Sequence, residues 1–444
     1  MKRIIPLLCS GIFFVLPLST VKGANPPISV QIQDSDCDTA SKSLGILIED
    51  LKKNTVTPKV KKTLLEILKN NIEKYAGDPE KCVMVNPDFV KLLSIDALGE
   101  LKDPSSKRLF LSFLNYTSPY QPGDMRQRSA IALAKLKASD TVKEILNTAR
   151  DKTTYLVGFR ESETAAERPT IEDSIANENR DLRKDSYSYP ILEALKIVSQ
   201  KKDFDLIKNA IFEEQELSLQ GKSNWNDPIR GDMLRIASSL NDSESLELIN
   251  MHQYLPVMMK IKALAFIQSN KAVAPLSQII EDTAKLGSDD IPLETKLAFV
   301  LLSRIKSKEA KAKIEFLSAS SDPTVSFLAK LLLLRNRDKR GLAEIRNQIL
   351  ILPDKLKIEG MKFLSSIGDR NSIPIIKKIY ALDNLKLKVY SIWALSNLKV
   401  IDLKEDALKL RDSINSREEE ASKLNLKESI DDAVKSMGKA KKAY

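Results

Sequence analysis

The sequence predicts an all-α protein, on three observations. Leu, Ile, Lys, Ala and Glu dominate, while glycine stands at 14 and proline at 19 among 444 residues, the composition of packed helices. With 43% hydrophobic and 29% charged residues, the chain can bury a sizeable core and is too apolar to stay disordered. One phrase also returns along it: an apolar stripe at helical spacing, closing on an aliphatic residue and a short polar turn, then a second amphipathic run. A single helix pair cannot cover its own stripe, so successive pairs must stack, which predicts a right-handed α-solenoid of antiparallel helix pairs.

At the N-terminus, Met1-Lys2-Arg3, the apolar run Ile4 to Leu18 and the border Val21-Lys22-Gly23 read as a secretory signal peptide over residues 1–23. Valine at −3 and glycine at −1 suit cleavage before Ala24. The run is too short for a membrane span and is broken by Pro6 and Pro17. Cys9 follows Leu7-Leu8 inside the apolar core, which is not the setting of a lipoprotein cysteine. Cleavage leaves a net charge of +7 and two cysteines, Cys37 and Cys82. In an oxidising compartment these form a candidate disulfide; the alternative is two buried free thiols. Residues 24–85 read as a leader and a helical cap, with two amphipathic helices between 39 and 76.

The repeats occupy residues 86–404. Their clearest copies are Ile95 to Asp103, Ala130 to Leu136, Met233 to Asp242, Phe363 to Asp369 and Ile392 to Leu398. Fainter ones end at Val198, Ile267, Ile305 and Leu334. Asn86-Pro87, Asp227-Pro228 and Asp322-Pro323 place a capping side chain before a proline suited to a first helical turn. Ala272-Val-Ala-Pro-Leu276 and Ser372-Ile-Pro-Ile-Ile376 open second helices with similar phrases. Ala97-Leu-Gly-Glu-Leu-Lys-Asp103 and Leu364-Ser-Ser-Ile-Gly-Asp369 resemble HEAT repeats, in particular the short bacterial type similar to those of phycobilin lyases. The resemblance covers about residues 86–402 and implies an armadillo-type solenoid that holds other macromolecules on an extended curved face.

Two regions interrupt or end the array. Residues 151–185 carry nine acidic and six basic residues in a weak apolar pattern and read as a polar insertion. Residues 405–444 read as a charged helical cap and tail.

The search for chemistry excludes more than it finds. His252 is the single histidine, which removes most metal centres and histidine-based triads; no cofactor is expected. Gly221-Lys222-Ser223 has Glu216 where a P-loop needs its first glycine. Asp289-Asp290 and Asp431-Asp432 are adjacent pairs whose members point in different directions, unlike carboxylates facing across a cleft. Trp393 falls on an apolar stripe and reads as core. Trp225, between Asn224 and Asn226 in a turn, is either packed or an exposed partner anchor.

Charge has a direction. Residues 301–400 hold twenty Lys and Arg against nine Asp and Glu, a net +11. The candidate partner-binding residues are Arg335, Arg337, Lys339 and Arg340 at one interhelical turn, Lys377 and Lys378 on a second helix, and Trp225. The leading expectation is an exported, periplasmic or extracellular, non-catalytic scaffold for a protein partner. The alternatives are a binder of anionic envelope polymer or membrane surface through the basic stretch, and a lyase-like enzyme or cofactor chaperone. Nucleic acid is not the expected target of an exported chain.

Overall fold

The computed structural model describes residues 37–53, 65–66, 68–69, 87–116, 122–155, 170–285, 290–337, 340–414 and 425–440. The signal segment, the leader and Cys82 lie outside them, and Cys37 is placed only as the first residue of a helix. The expected Cys37–Cys82 bridge therefore falls outside the described residues. Every regular element among the described residues is helical. The described residues fall into two compact units, the first holding those up to 148 with 153–155, the second 149–152 and those from 170 on.

In the first unit, α1 (Cys37–Lys52), α2 (Pro87–Leu101) and α4 (Pro122–Lys135) pack side by side, with α3 (Lys107–Leu114) against α4; α5 (Val142–Ala149) follows. Leu44, Ile95, Leu98, Phe110, Leu133 and Ile145 are fully sealed from solvent. The α2–α4 approach is close at Gly99, where a Cβ would lie 3.1 Å from the Ala132 Cβ. Arg128 pairs with Asp96, and Lys135 with Glu100 at 2.8 Å, tying equivalent helices of successive repeats.

The recurring phrase has a specific backbone meaning. Lys102, Lys137 and Lys399 have φ of 54°, 54° and 63°, and Gly368 of 71°. Each follows the aliphatic residue that closes the first helix of a pair. At three of them two hydrogen bonds seal the helix end: Lys137 N to Ala134 O (2.9 Å) with Ala138 N to Leu133 O (3.2 Å), Gly368 N to Ser365 O (3.1 Å) with Asp369 N to Leu364 O (2.9 Å), and Lys399 N to Ser396 O (3.0 Å) with Val400 N to Leu395 O (3.0 Å). This left-handed closure satisfies carbonyls that the helix leaves unpaired.

The second unit is a double row. One row holds α7 (Pro190–Val198), α9 (Asp227–Leu240), α11 (Val257–Leu264), α13 (Leu293–Arg304), α15 (Pro323–Arg337), α17 (Asp354–Ser366), α19 (Leu385–Asn397) and α21 (Leu426–Ala440). Between them run α8 (Phe204–Leu219), α10 (Asp242–Met251), α12 (Val273–Ala284), α14 (Lys308–Ser318), α16 (Arg340–Gln348), α18 (Ile373–Tyr380) and α20 (Lys404–Ser413). Stacked antiparallel pairs of this kind are the HEAT-like solenoid arrangement, which α20 and α21 continue to residue 440. Lateral ion pairs again join equivalent helices, as in Lys208–Glu244 at 2.6 Å and Lys313–Glu281 at 3.3 Å.

Some first-row helices, α9 and α19 above all, are buried around most of their circumference. On α19, Leu387 and all residues from Val389 to Ser396 are buried, and on α9 so are Asp232 and Arg235. The second row covers only one side of such a helix, so another segment must cover the other. Among the described residues, that cover is one more helix, α6 (Ile171–Asn179), and residues 185–188 after it.

Candidate functional site

Helix α6 is started by Thr170, whose hydroxyl accepts from the Asp173 N–H while the Asp173 carboxylate accepts from the Thr170 N–H, a reciprocal cap. At its N-terminal end the Ile171 N–H donates to Ser429 Oγ on α21 at 3.1 Å. At its C-terminal end the Glu178 carboxylate accepts from Lys296 Nζ on α13 (2.8 Å) and from Lys362 Nζ on α17 (2.6 and 2.8 Å). Arg304 on α13 donates to the Asn179 carbonyl at 3.1 Å.

Nine helical residues span about 13 Å, whereas four steps along a helix row at 8–10 Å each cover about 30–40 Å. A helix that reaches both α13 and α21 therefore lies on the inside of the row's curve. That inner side of the second unit is held by α6.

The charges there form a buried quartet. Glu359 on α17 completes it, 2.7 Å from Lys296 and 3.1 Å from Lys362. Burial opposes the charge on Lys296, but Glu359 and Glu178 outweigh it and raise its pKa. Lys362 and Lys296 hold the Glu359 carboxyl below its ordinary value against the same desolvation. Tyr390 nearby is pushed up by burial. Partial desolvation raises Glu172, although the residue is exposed, with its own backbone N–H and then the Trp393 indole pulling the other way.

Downstream of α6 a second polar cluster pins the chain. Arg235, 1% exposed, donates to Asp232 (2.7 Å) and to the Ser186 (3.1 Å) and Asp185 (2.6 Å) carbonyls, with its guanidinium 4.2 Å from the Tyr187 ring centre. Asp232 accepts from the Ser188 N–H at 2.6 Å.

The residues expected from sequence fall elsewhere. Trp225 is a correction to its reading as an exposed anchor: it is 3% exposed, and its indole N–H donates to the Ala149 carbonyl at 3.0 Å. The turn folds back on residues 149–152, where Arg150 also meets Glu213 and Glu214. Lys377 is paired with Asp402 at 2.7 Å, and Lys378 is exposed. Arg335 and Arg337 lie at the end of α15 and Arg340 opens α16, while Lys339 lies outside the described residues. Much of the basic excess is internally matched: Arg346 to Asp369, Lys357 to Asp354, Lys362 to Glu178, Lys386 to Asp290 and Lys388 to Asp383. The carboxylates weighed for catalysis are also in ion pairs, Asp290 with Lys386, Asp431 with Arg411 and Asp432 with Lys435. His252 is buried at the end of α10, where Nδ1 lies 2.7 Å from the Leu248 carbonyl. Sequence reasoning missed Glu178, Lys296, Glu359 and Lys362, although the placement of α6 inside a polar insertion left one signal, the Thr170-x-x-Asp173 cap.

Among the described residues, no group of three or more His, Cys, Asp or Glu could hold a metal ion, and no helix is long and apolar enough to cross a membrane. No known family matches the chain, and no curated protein does. Among solved structures it is similar to the crystal structure of Kap121p, at 11% identity and a TM-score of 0.43, over 93% of this chain and 45% of that one. A Kap121p mutant carrying three substitutions gives the same figures. The chain thus spans about half the length of the solved chains it matches.

Proposed function

We propose that this protein is an exported, non-catalytic scaffold whose second unit holds a protein partner on the concave face of its first helix row. The observation that carries the reading is α6: that face already accommodates a helix, supplying a hydroxyl at one end and two lysines and an arginine at the other. Export rests on the Lys2-Arg3 region, the apolar run and the Val21-Lys22-Gly23 border. The short bacterial repeat type rests on the motif length of the Ala97 and Leu364 phrases. The anionic-surface alternative draws on the same basic stretch, but the internal pairing of its lysines favours a protein.

A pull-down from the native envelope fraction separates these readings. The scaffold predicts that one protein is retained at moderate salt, and is retained equally when Arg335, Arg337, Lys339 and Arg340 are reversed to Glu. Capture of polymer or lipid alone, abolished by that reversal, contradicts it.

A further inference from the structure

The face that α6 occupies is polar, and α6 leaves most of its own surface to solvent. Of the nine residues of α6 only Ile171 and Glu178 are buried, one aliphatic and one charged. A helix of this length does not persist in water by itself, so docking makes it helical. What docks it is a set of hydrogen bonds and ion pairs at its two ends, with little apolar area between. Surfaces of that composition are typical of contacts that form and release.

Its tether is of the opposite kind. Arg235 and Asp232 hold Asp185, Ser186 and Ser188 a few residues downstream, so α6 can leave its seat while its C-terminal side stays fastened. The seat is also unbalanced. Without Glu178 it presents Lys296, Lys362 and Arg304 against Glu359 alone. That seat selects a helix with an accepting carboxylate in its last turn, as Glu178 stands in α6, and a free N–H at its start.

We propose that α6 is a resident stand-in on a docking groove formed by α13, α17, α19 and α21, whose ligand is an acidic, N-capped helix of a protein partner. The proposal rests on the scaffold reading and names the chemistry of the partner. A tethered stand-in competes at high effective concentration, so the partner must match the lysine pair better than Glu178 does.

The probe is a fluorescent peptide of residues 170–181 added to the full chain. It should bind the Glu178→Gln protein at least tenfold more tightly than wild type, because the weakened resident yields its seat. The same peptide with Gln in place of its Glu178 should lose that gain, as should a Glu178→Gln/Lys362→Gln protein. Equal binding to both proteins, or binding indifferent to the peptide carboxylate, overturns the proposal. Hydrogen exchange on the unaltered protein gives a second test that needs no variant. Amides of 171–179 should open at lower free energy than those of α13 and α19, and equal protection overturns the proposal as well. A partner captured from the envelope despite a negative peptide result would sink the stand-in and leave the scaffold; peptide binding with no envelope protein captured would sink the scaffold alone.

Discussion

Tyr187 shows how a single side chain reports on the pinned segment. Burial first, and Asp232 after it, push its phenol up to about 12, with Arg235 pulling down, and its hydroxyl is buried without a hydrogen-bond partner. The unfolded phenol ionises near 10, so between about pH 10 and 12 the unfolded chain loses a proton that the folded chain keeps. Stability must then fall as pH rises through that window. Tyr187→Phe keeps the ring over Arg235, removes an unsatisfied hydroxyl and deletes this titration. In urea unfolding the variant should match or exceed wild type at pH 7 and lose less stability up to pH 12, with Tyr390, Tyr380 and Lys296, whose pKa values are also raised, contributing to the loss that remains. An unchanged alkaline slope would place Tyr187 in solvent. Neither this residue nor Arg235 was legible from sequence, because a buried arginine looks like any helical arginine until its carbonyl partners, some fifty residues away, are known.

At the scale of the element, the repeat phrase was legible and its reason was not. The spacing of Leu101, Leu136, Ile367 and Leu398 marked helix ends; the left-handed residue that follows each was hidden, since three of the four are lysine. An L-residue pays about 1–2 kcal/mol for that conformation, and glycine does not, though it adds entropy to the unfolded chain. Lys137 is exposed, so Lys137→Gly should stabilise by about 0.5–1 kcal/mol, read as a higher urea midpoint with an unchanged slope. A loss of stability would mean that the lysine stem packs on the repeat. Trp225 failed as an exposed anchor for a related reason. A tryptophan between two asparagines looks like a loop tip, but the acceptor that buries it is a backbone carbonyl at Ala149.

At the scale of the whole chain, composition and period were enough to predict an all-α solenoid with paired helices, because stacking depends on local patterns repeated in order. The insertion could not be read that way. Its placement depends on contacts between Glu178 and residues 118 and 184 positions further on, and sequence alone records no such partners. Nor could the basic excess of residues 301–400 be divided into free and matched charge without knowing which carboxylates face it. The central claim is that the insertion lies along the inner row, and the Glu178–Lys362 pair, with side chains 11% and 8% exposed, is its most direct probe. A double-mutant cycle in urea with Glu178→Gln, Lys362→Met and the two together measures it. Lys296 still faces Glu178 and Glu359 still faces Lys362 in the single variants, so each should cost less than the roughly 3–5 kcal/mol of a buried charge left unpaired, and the double variant should cost less than the sum of the singles by at least ~1 kcal/mol. Strict additivity of the two changes would contradict the seat of α6 on the concave face.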